Sequence, residues 1–175
     1  GNYNLTNAGG SDGMVIKYDA EGTVEWATSI GGENEDNINS VAETSDGGIA
    51  VGGYFWSSIT VGDYILTSAG RLDGMLIKYG ADREVEWATS IGGSQNEIIN
   101  SIATTSDGEI VVGGYFESSS ITVGEYTLTN NSRTDYSDGM VIKYNAEGKV
   151  EWATSVGQSR NDEISSVAVL SWRKF

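Results

Sequence analysis

Carboxylates and amides crowd one short stretch, Glu33-Asn34-Glu35-Asp36-Asn37, and oxygen ligands at that density suit a hard cation. Matching stretches lie at Ser94 to Glu97 and Ser159 to Glu163, but only the first holds three carboxylates and the last carries Arg160. Glu33, Glu35 and Asp36 therefore stand as metal candidates against the plainer reading of a solvated loop. Lys17, Lys78 and Lys143 recur at equivalent places, as do Glu25, Glu86 and Glu151. An active site is a single asymmetric constellation, so threefold recurrence argues for structure, with each lysine expected on an outward strand position beside an acidic neighbour. Histidine and cysteine are absent, which removes the commonest general base, thiolate chemistry and zinc-thiolate sites. Gly31-Gly32 and Gly92-Gly93 join strand to strand without a helix N-terminus, so they are turn residues and no phosphate cradle.

Positions that differ between copies carry more information. Trp56 is replaced by Glu117, Arg71 sits in one connecting segment, and Arg133 and Tyr136 sit in its longer counterpart. These five residues are the ligand-binding candidates. Trp56, with Phe55 or Phe116, would stack a sugar ring or a partner side chain; the alternative is that both phenylalanines are core and Trp56 covers a hairpin.

The elements that position these residues come from a repeat. Asp-Gly-Met recurs at 12 to 14, 73 to 75 and 138 to 140, and Val-Glu-Trp-Ala-Thr-Ser at 24 to 29, 85 to 90 and 150 to 155. Three units follow: 1–61, which starts partway through, 62–123, and 124–175, which is shortened. Within each, "INSVAET", "GIAVGGYF", "MVIKYDA" and "TVEWATSIG" alternate or bracket turns as strands do. Asp46-Gly47 and Asp107-Gly108 mark hairpins, because Asp-Gly tolerates the positive φ of primed turns. Gly62-Asp63 would turn an extra hairpin between the second and third strands. The fold class predicted is all-β: antiparallel four-stranded blades of a β-propeller, about three per chain. Small Ala50, Gly52 and Gly53 suit a crowded axis; Trp26, Trp87 and Trp152 suit an outer strand packed on a neighbouring blade. The acidic loops and the inserts are expected on one rim.

The stretch "IGGENEDNINSVAETSDGGIAVGGYF" with "DGMVIKYDAEGTVEWATSIGG" resembles the β-propeller repeat of large bacterial secreted and cell-surface proteins. The resemblance spans Gly1 to about Val169 and implies a blade, an extracellular or cell-surface location and no particular activity. The tryptophan strand also resembles that of quinoprotein-type blades, which implies shared packing only; no cofactor is expected.

Ten basic against 25 acidic residues give a net charge of −15, which repels phosphate backbones and anionic lipids. Nucleic-acid binding and membrane insertion are not expected, and neither a transmembrane helix nor a signal peptide is read. Three blades do not close a ring, since rings use four to eight. A homodimer completing a six-blade ring is therefore predicted, with a trimer as the sibling assembly. Ser171 to Phe175 depart from the repeat, as a two-base deletion in codons for Ser-Asp-Gly-Gly would produce. Function is read as a non-enzymatic scaffold or interaction segment with a glycan or protein ligand. The alternatives are a carbohydrate-binding propeller that uses the insert-bearing face, and a hydrolase or lyase that uses the rim carboxylates.

Overall fold

The structure is a computed structural model that describes residues 3–132 and 136–170. It is all-β, with twelve strands among the described residues. β1 (Gly13–Tyr18) and β2 (Val24–Ile30) pair antiparallel. β3 (Asn37–Glu43), β4 (Ile49–Val61), β5 (Tyr64–Tyr79) and β6 (Val85–Ile91) form a four-stranded meander in that order. β7 (Glu97–Thr104), β8 (Ile110–Phe116), β11 (Asp138–Tyr144) and β12 (Val150–Val156) form a second, with β9 (Ser120–Val123) and β10 (Tyr126–Thr129) as a separate hairpin between its second and third strands.

Local chemistry accounts for these boundaries. Gly47 and Gly108 take φ of 82° and 84° in the β3–β4 and β7–β8 turns, the left-handed conformation that a side chain resists. Arg83 holds the same conformation (φ 76°) where Gly22 and Gly148 stand in the other copies of its turn. In the first meander the extra hairpin is continuous with its flanking strands, because Trp56 pairs with Leu72 and the ladder resumes at Ser58 and Thr67 after an irregularity at Ser57. The second copy carries four more residues there, and β8 stops at Phe116 before the hairpin restarts at Ser120.

Successive sheets pack face to face. Val15, Trp26 and Ile30 of the β1–β2 pair share a core with Val51, Phe55, Met75 and Ile77 of the first meander. The opposite face of that meander gives Ala50, Leu76 and Ile91 to a core with Ile102, Val112, Phe116, Met140 and Ile142 of the second. Covered on both sides, β5 runs Met75, Leu76 and Ile77 all fully buried rather than alternating. Burial at this depth stabilises by roughly 1.5–3 kcal/mol per large apolar side chain. Gly52 lies where a β-carbon would meet Ile102 and Ile99, and Gly113 where one would meet Ile164 and Val167, so each second strand admits the next unit's first strand through a missing side chain.

A bulge in each first strand adds a second tie. The register slips between Ile38 and Ser40, and again between Ile99 and Ser101. The residue set free, Asn39 or Asn100, donates its amide to the carbonyl of Ile99 (2.9 Å) or Ile164 (3.2 Å) in the following unit. Ser40 and Ser101 then accept the backbone N–H of Ile102 and Val167. Residues 163–170 thus lie along β7 and β8 as the first strand of a further unit would.

Candidate functional site

Each repeated lysine has the acidic neighbour that the sequence leads one to expect, but they differ in exposure. Lys78 does not point outward: it is 2% exposed, and its ammonium donates to Asp46 (2.8 Å), Glu86 (3.1 Å) and the Tyr79 carbonyl (3.1 Å). β5 is flanked on both edges, so the charge is buried and satisfied by acids from the turn before β4 and from β6. This partnership holds the Asp46 carboxyl well below its usual range, chiefly through the Lys78 hydrogen bond. Lys143 pairs with Glu109 (2.6 Å) and Glu151 (2.9 Å), so Glu109 takes the part that Asp46 plays in the previous copy, and Asp107 is left to the turn. Lys17 keeps only Glu25 (2.9 Å) and is exposed. None of these three lysines is both unpaired and desolvated in the way a catalytic amine requires.

One rim gathers the acidic loops and the inserts, as the sequence predicts. Asp36 donates its N–H to the Ser11 carbonyl, Arg71 to that of Gln95, and Asp162 to that of Ser137, which ties each acidic loop to the segment entering the third strand. The metal candidates are divided there. Asp36 is 2% exposed, and its carboxylate accepts the N–H groups of Gly32 (2.6 Å) and Trp56 (3.0 Å), whereas Glu33 and Glu35 are exposed. Among the described residues no three acidic side chains gather to hold a metal ion.

The buried acids at this rim form a pattern that the sequence reading missed. Asp73 is 1% exposed and accepts the Ala69 N–H; Glu97 is fully buried and accepts the N–H groups of Gly93 (2.7 Å) and Ser118 (3.2 Å). Asp12 and Asp36 repeat the arrangement in the first copy, and Asp138 and Asp162 in the third. Burial pushes the carboxyls of Asp36, Asp73 and Glu97 above their usual range, and the Asp73 charge adds to the rise at Glu97. These carboxylates staple loops together. The signal was available: an acid closes each acidic loop (Asp36, Glu97, Asp162), and an Asp stands directly before every Gly-Met of the third strands (Asp12, Asp73, Asp138).

The residues that differ between copies line the same rim. The Arg71 N–H donates to the Gln95 carbonyl and the Leu72 N–H to the Asn96 side chain, and Asn96 donates to the Glu117 carboxylate (2.7 Å), which connects the Leu72 backbone to Glu117 through one side chain. Trp56 is 47% exposed, across the ladder from Leu72, while Phe55 and Phe116 are fully buried core. Tyr136 is exposed at the insert of the second meander, where Ser137 bonds to Asn161. Arg133 lies outside the described residues. A cavity of about 310 Å³ opens at the opposite edge, lined by Ile16, Lys17, Trp26, Val41 and Arg83, and shares none of these candidates.

No family model matches the chain. It is 28% identical over 190 residues to an uncharacterised WD repeat-containing protein of Acanthamoeba polyphaga mimivirus, covering 90% of this chain and 14% of that protein. It is 28% identical over 166 residues to the regulatory protein FlaEY of Caulobacter vibrioides, covering 92% of this chain and 17% of that protein. The chain therefore spans less than a fifth of these relatives, and the WD-repeat relative is of the β-propeller type.

Proposed function

We propose that the chain is a stretch of β-propeller blades that serves as a non-enzymatic, extracellular binding scaffold, with the insert-bearing rim as its contact surface. One observation supports this reading above others. The polar residues that repeat are consumed by internal partners, Lys78 by Asp46 and Glu86, Glu97 by Gly93 and Ser118, whereas Trp56, Arg71 and Glu117 differ between copies and stand on the elements that form the rim, Trp56 and Arg71 with exposed side chains. An exposed indole on a rim that also carries an arginine suits a sugar ring, by stacking and by hydrogen bonds to its hydroxyls. The WD-repeat relative agrees with the propeller part of the reading. A glycan array tests the ligand class: binding that Trp56→Ala abolishes supports it, and silence across the array removes the carbohydrate reading.

A further inference from the structure

A further cavity opens where the two meanders meet, and it shares no residue with the rim candidates. It measures about 410 Å³ and is walled by β6, by the β9–β10 hairpin and by the turn between β11 and β12. Tyr144, Val123 and Val150 line it and also belong to the core between the two meanders, so the cavity is a property of the junction between successive units. Its size falls at the small end of ligand cavities, which run from about 300 to 1,000 Å³.

The polar wall of this cavity is rich in hydroxyls. Thr89 and Ser90 of β6, Thr122 of β9 and Tyr144 of β11 all line it. Among the described residues the Ser90 and Thr122 side chains make no hydrogen bond, and the Thr89 hydroxyl reaches only the Ser90 carbonyl, at 3.5 Å. Tyr144 is 2% exposed; its ring stacks on Trp87 with centroids 6.2 Å apart, and the Trp87 indole is anchored in turn on the Ala146 carbonyl (2.9 Å). The Tyr144 hydroxyl is buried and has no hydrogen-bond partner among the described residues. Burial pushes this phenol up, so it keeps its proton and is able both to donate and to accept. A buried polar group without a partner is uncommon in a folded protein, and a molecule held in the cavity that Tyr144 lines is placed to supply one.

Two exposed charges flank the hydroxyls, Glu125 in the β9–β10 turn and Lys149 in the β11–β12 turn. Their signs cancel, so the site is locally neutral in a chain of net charge −15. An anion would meet Glu125 and a cation Lys149, whereas groups that donate and accept alike suit both. At the earlier junction Arg83 and Glu84 stand where Gly148 and Lys149 stand here, so the same hydroxyls keep different company there.

We propose that this cavity binds a neutral polyhydroxyl molecule of monosaccharide size, whose hydroxyls pair with Tyr144, Thr89, Ser90 and Thr122 and reach Glu125 and Lys149 at the outer edge. Side-chain hydroxyls suit such a ligand because each donates and accepts at once, as the hydroxyls of a sugar do.

Saturation-transfer NMR on the whole chain with free glucose, galactose, mannose and fucose reads binding, and titration gives the affinity. At least one of the four is expected to bind. Tyr144→Phe is expected to weaken it about tenfold, and Thr122→Val about three- to tenfold. Ile65→Ser, at an apolar residue 72% exposed on the other hairpin, leaves it unchanged. Because Tyr144→Phe deletes a hydroxyl without an internal partner, its melting temperature is expected to equal or exceed that of the parent, which separates lost binding from lost folding. Silence from all four sugars overturns the proposal, as does full affinity in Tyr144→Phe or a lowered melting temperature that reveals an internal partner. A sugar lost on Trp56→Ala but held at full strength by Tyr144→Phe is a ligand of the rim and overturns it too. The two sites share no residue, so failure of the rim reading leaves this one standing.

Discussion

Alanine at four glycines separates two kinds of close approach, and the repeat supplies each kind twice. None of Gly52, Gly53, Gly113 and Gly114 has a left-handed φ, so the backbone itself accepts alanine, and the loss of unfolded-state freedom contributes about 0.4–1 kcal/mol of stability. Space decides the rest. A β-carbon on Gly53 would stand 1.9 Å from the Asn37 carbonyl oxygen, and one on Gly114 1.9 Å from that of Ile98. Both obstacles are backbone atoms in the adjoining ladder at the bulge, so the strands must part, at about 3 kcal/mol or more. On Gly52 the nearest atoms are side-chain tips, Ile102 at 2.6 Å and Ile99 at 3.0 Å, in a filled core, which leaves a net loss of about 1–2 kcal/mol. On Gly113 they belong to Ile164 and Val167, at 2.6 Å, on residues held by single hydrogen bonds to Asn100, Ser101 and Gly114 rather than by a strand ladder, so they retreat at less cost and the net change is about zero. At roughly 2–4 °C per kcal/mol for a chain of this size, Gly53→Ala and Gly114→Ala lose about 6 °C or more, Gly52→Ala about 2–8 °C, and Gly113→Ala about 2 °C at most. Thermal melts by circular dichroism at neutral pH read all four. A Gly113→Ala loss as large as that of Gly114→Ala would refute the retreat of residues 163–170, and a benign Gly53→Ala would refute the ladder itself.

Three further outcomes are expected. Arg83→Gly relieves a left-handed residue that both other copies fill with glycine, and raises the melting temperature by about 1–4 °C, net of the freedom glycine adds to the unfolded chain. Asp73→Asn removes a buried charge whose folded pKa lies above its ordinary 3.8; that acid favours the fold at low pH and loses the contribution as pH rises through the folded value. The variant is therefore expected to be more stable than the parent at pH 7, with the gap closing toward 3.8, and urea titrations at both pH values check it. Lys78→Met acts in the opposite sense. Asp46 has a depressed folded pKa, so its contribution is present above 3.8 and is lost as pH falls through the folded value. Because Asp46 and Glu86 are half-exposed, the loss at pH 7 is about 1–3 kcal/mol, below that of a fully buried pair, and it shrinks in acid.

The strands were legible because the forces that set them are local. Asp-Gly pairs fixed the turns at Gly47 and Gly108, and recurrence aligned three copies of the third and fourth strands and two of the second. The bulges were not legible. A bulge shifts the pairing by one residue without disturbing the alternation on either side, so Ile38 and Ser40 look like neighbours on an ordinary strand. Only the recurring Ile-Asn-Ser at 38–40 and 99–101 hinted that the asparagine had work beyond its own sheet. The continuity of β4 and β5 through the extra hairpin was hidden for a related reason: Trp56 and Leu72 pair across it, and no composition rule announces that contact.

At the rim the sequence picked out the acidic loops but not which of their acids are buried. Density of charge drew attention to Glu33 and Glu35, which are exposed, whereas position in the loop selects Asp36, Glu97 and Asp162, which accept the backbone N–H groups of the turn. A carboxylate facing backbone donors costs less to bury than one facing other carboxylates, so the solitary, recurring acid is the one drawn inward. The lysines follow the same logic. Lys78 is buried because two acids from different strands converge on it, and in the next copy Glu109 replaces Asp46 two residues further along its turn while the lysine remains paired. What the fold preserves is the pairing and not the residue that performs it. Among the described residues Arg71 has no such acidic partner, which is why it belongs to the contact surface proposed at this rim.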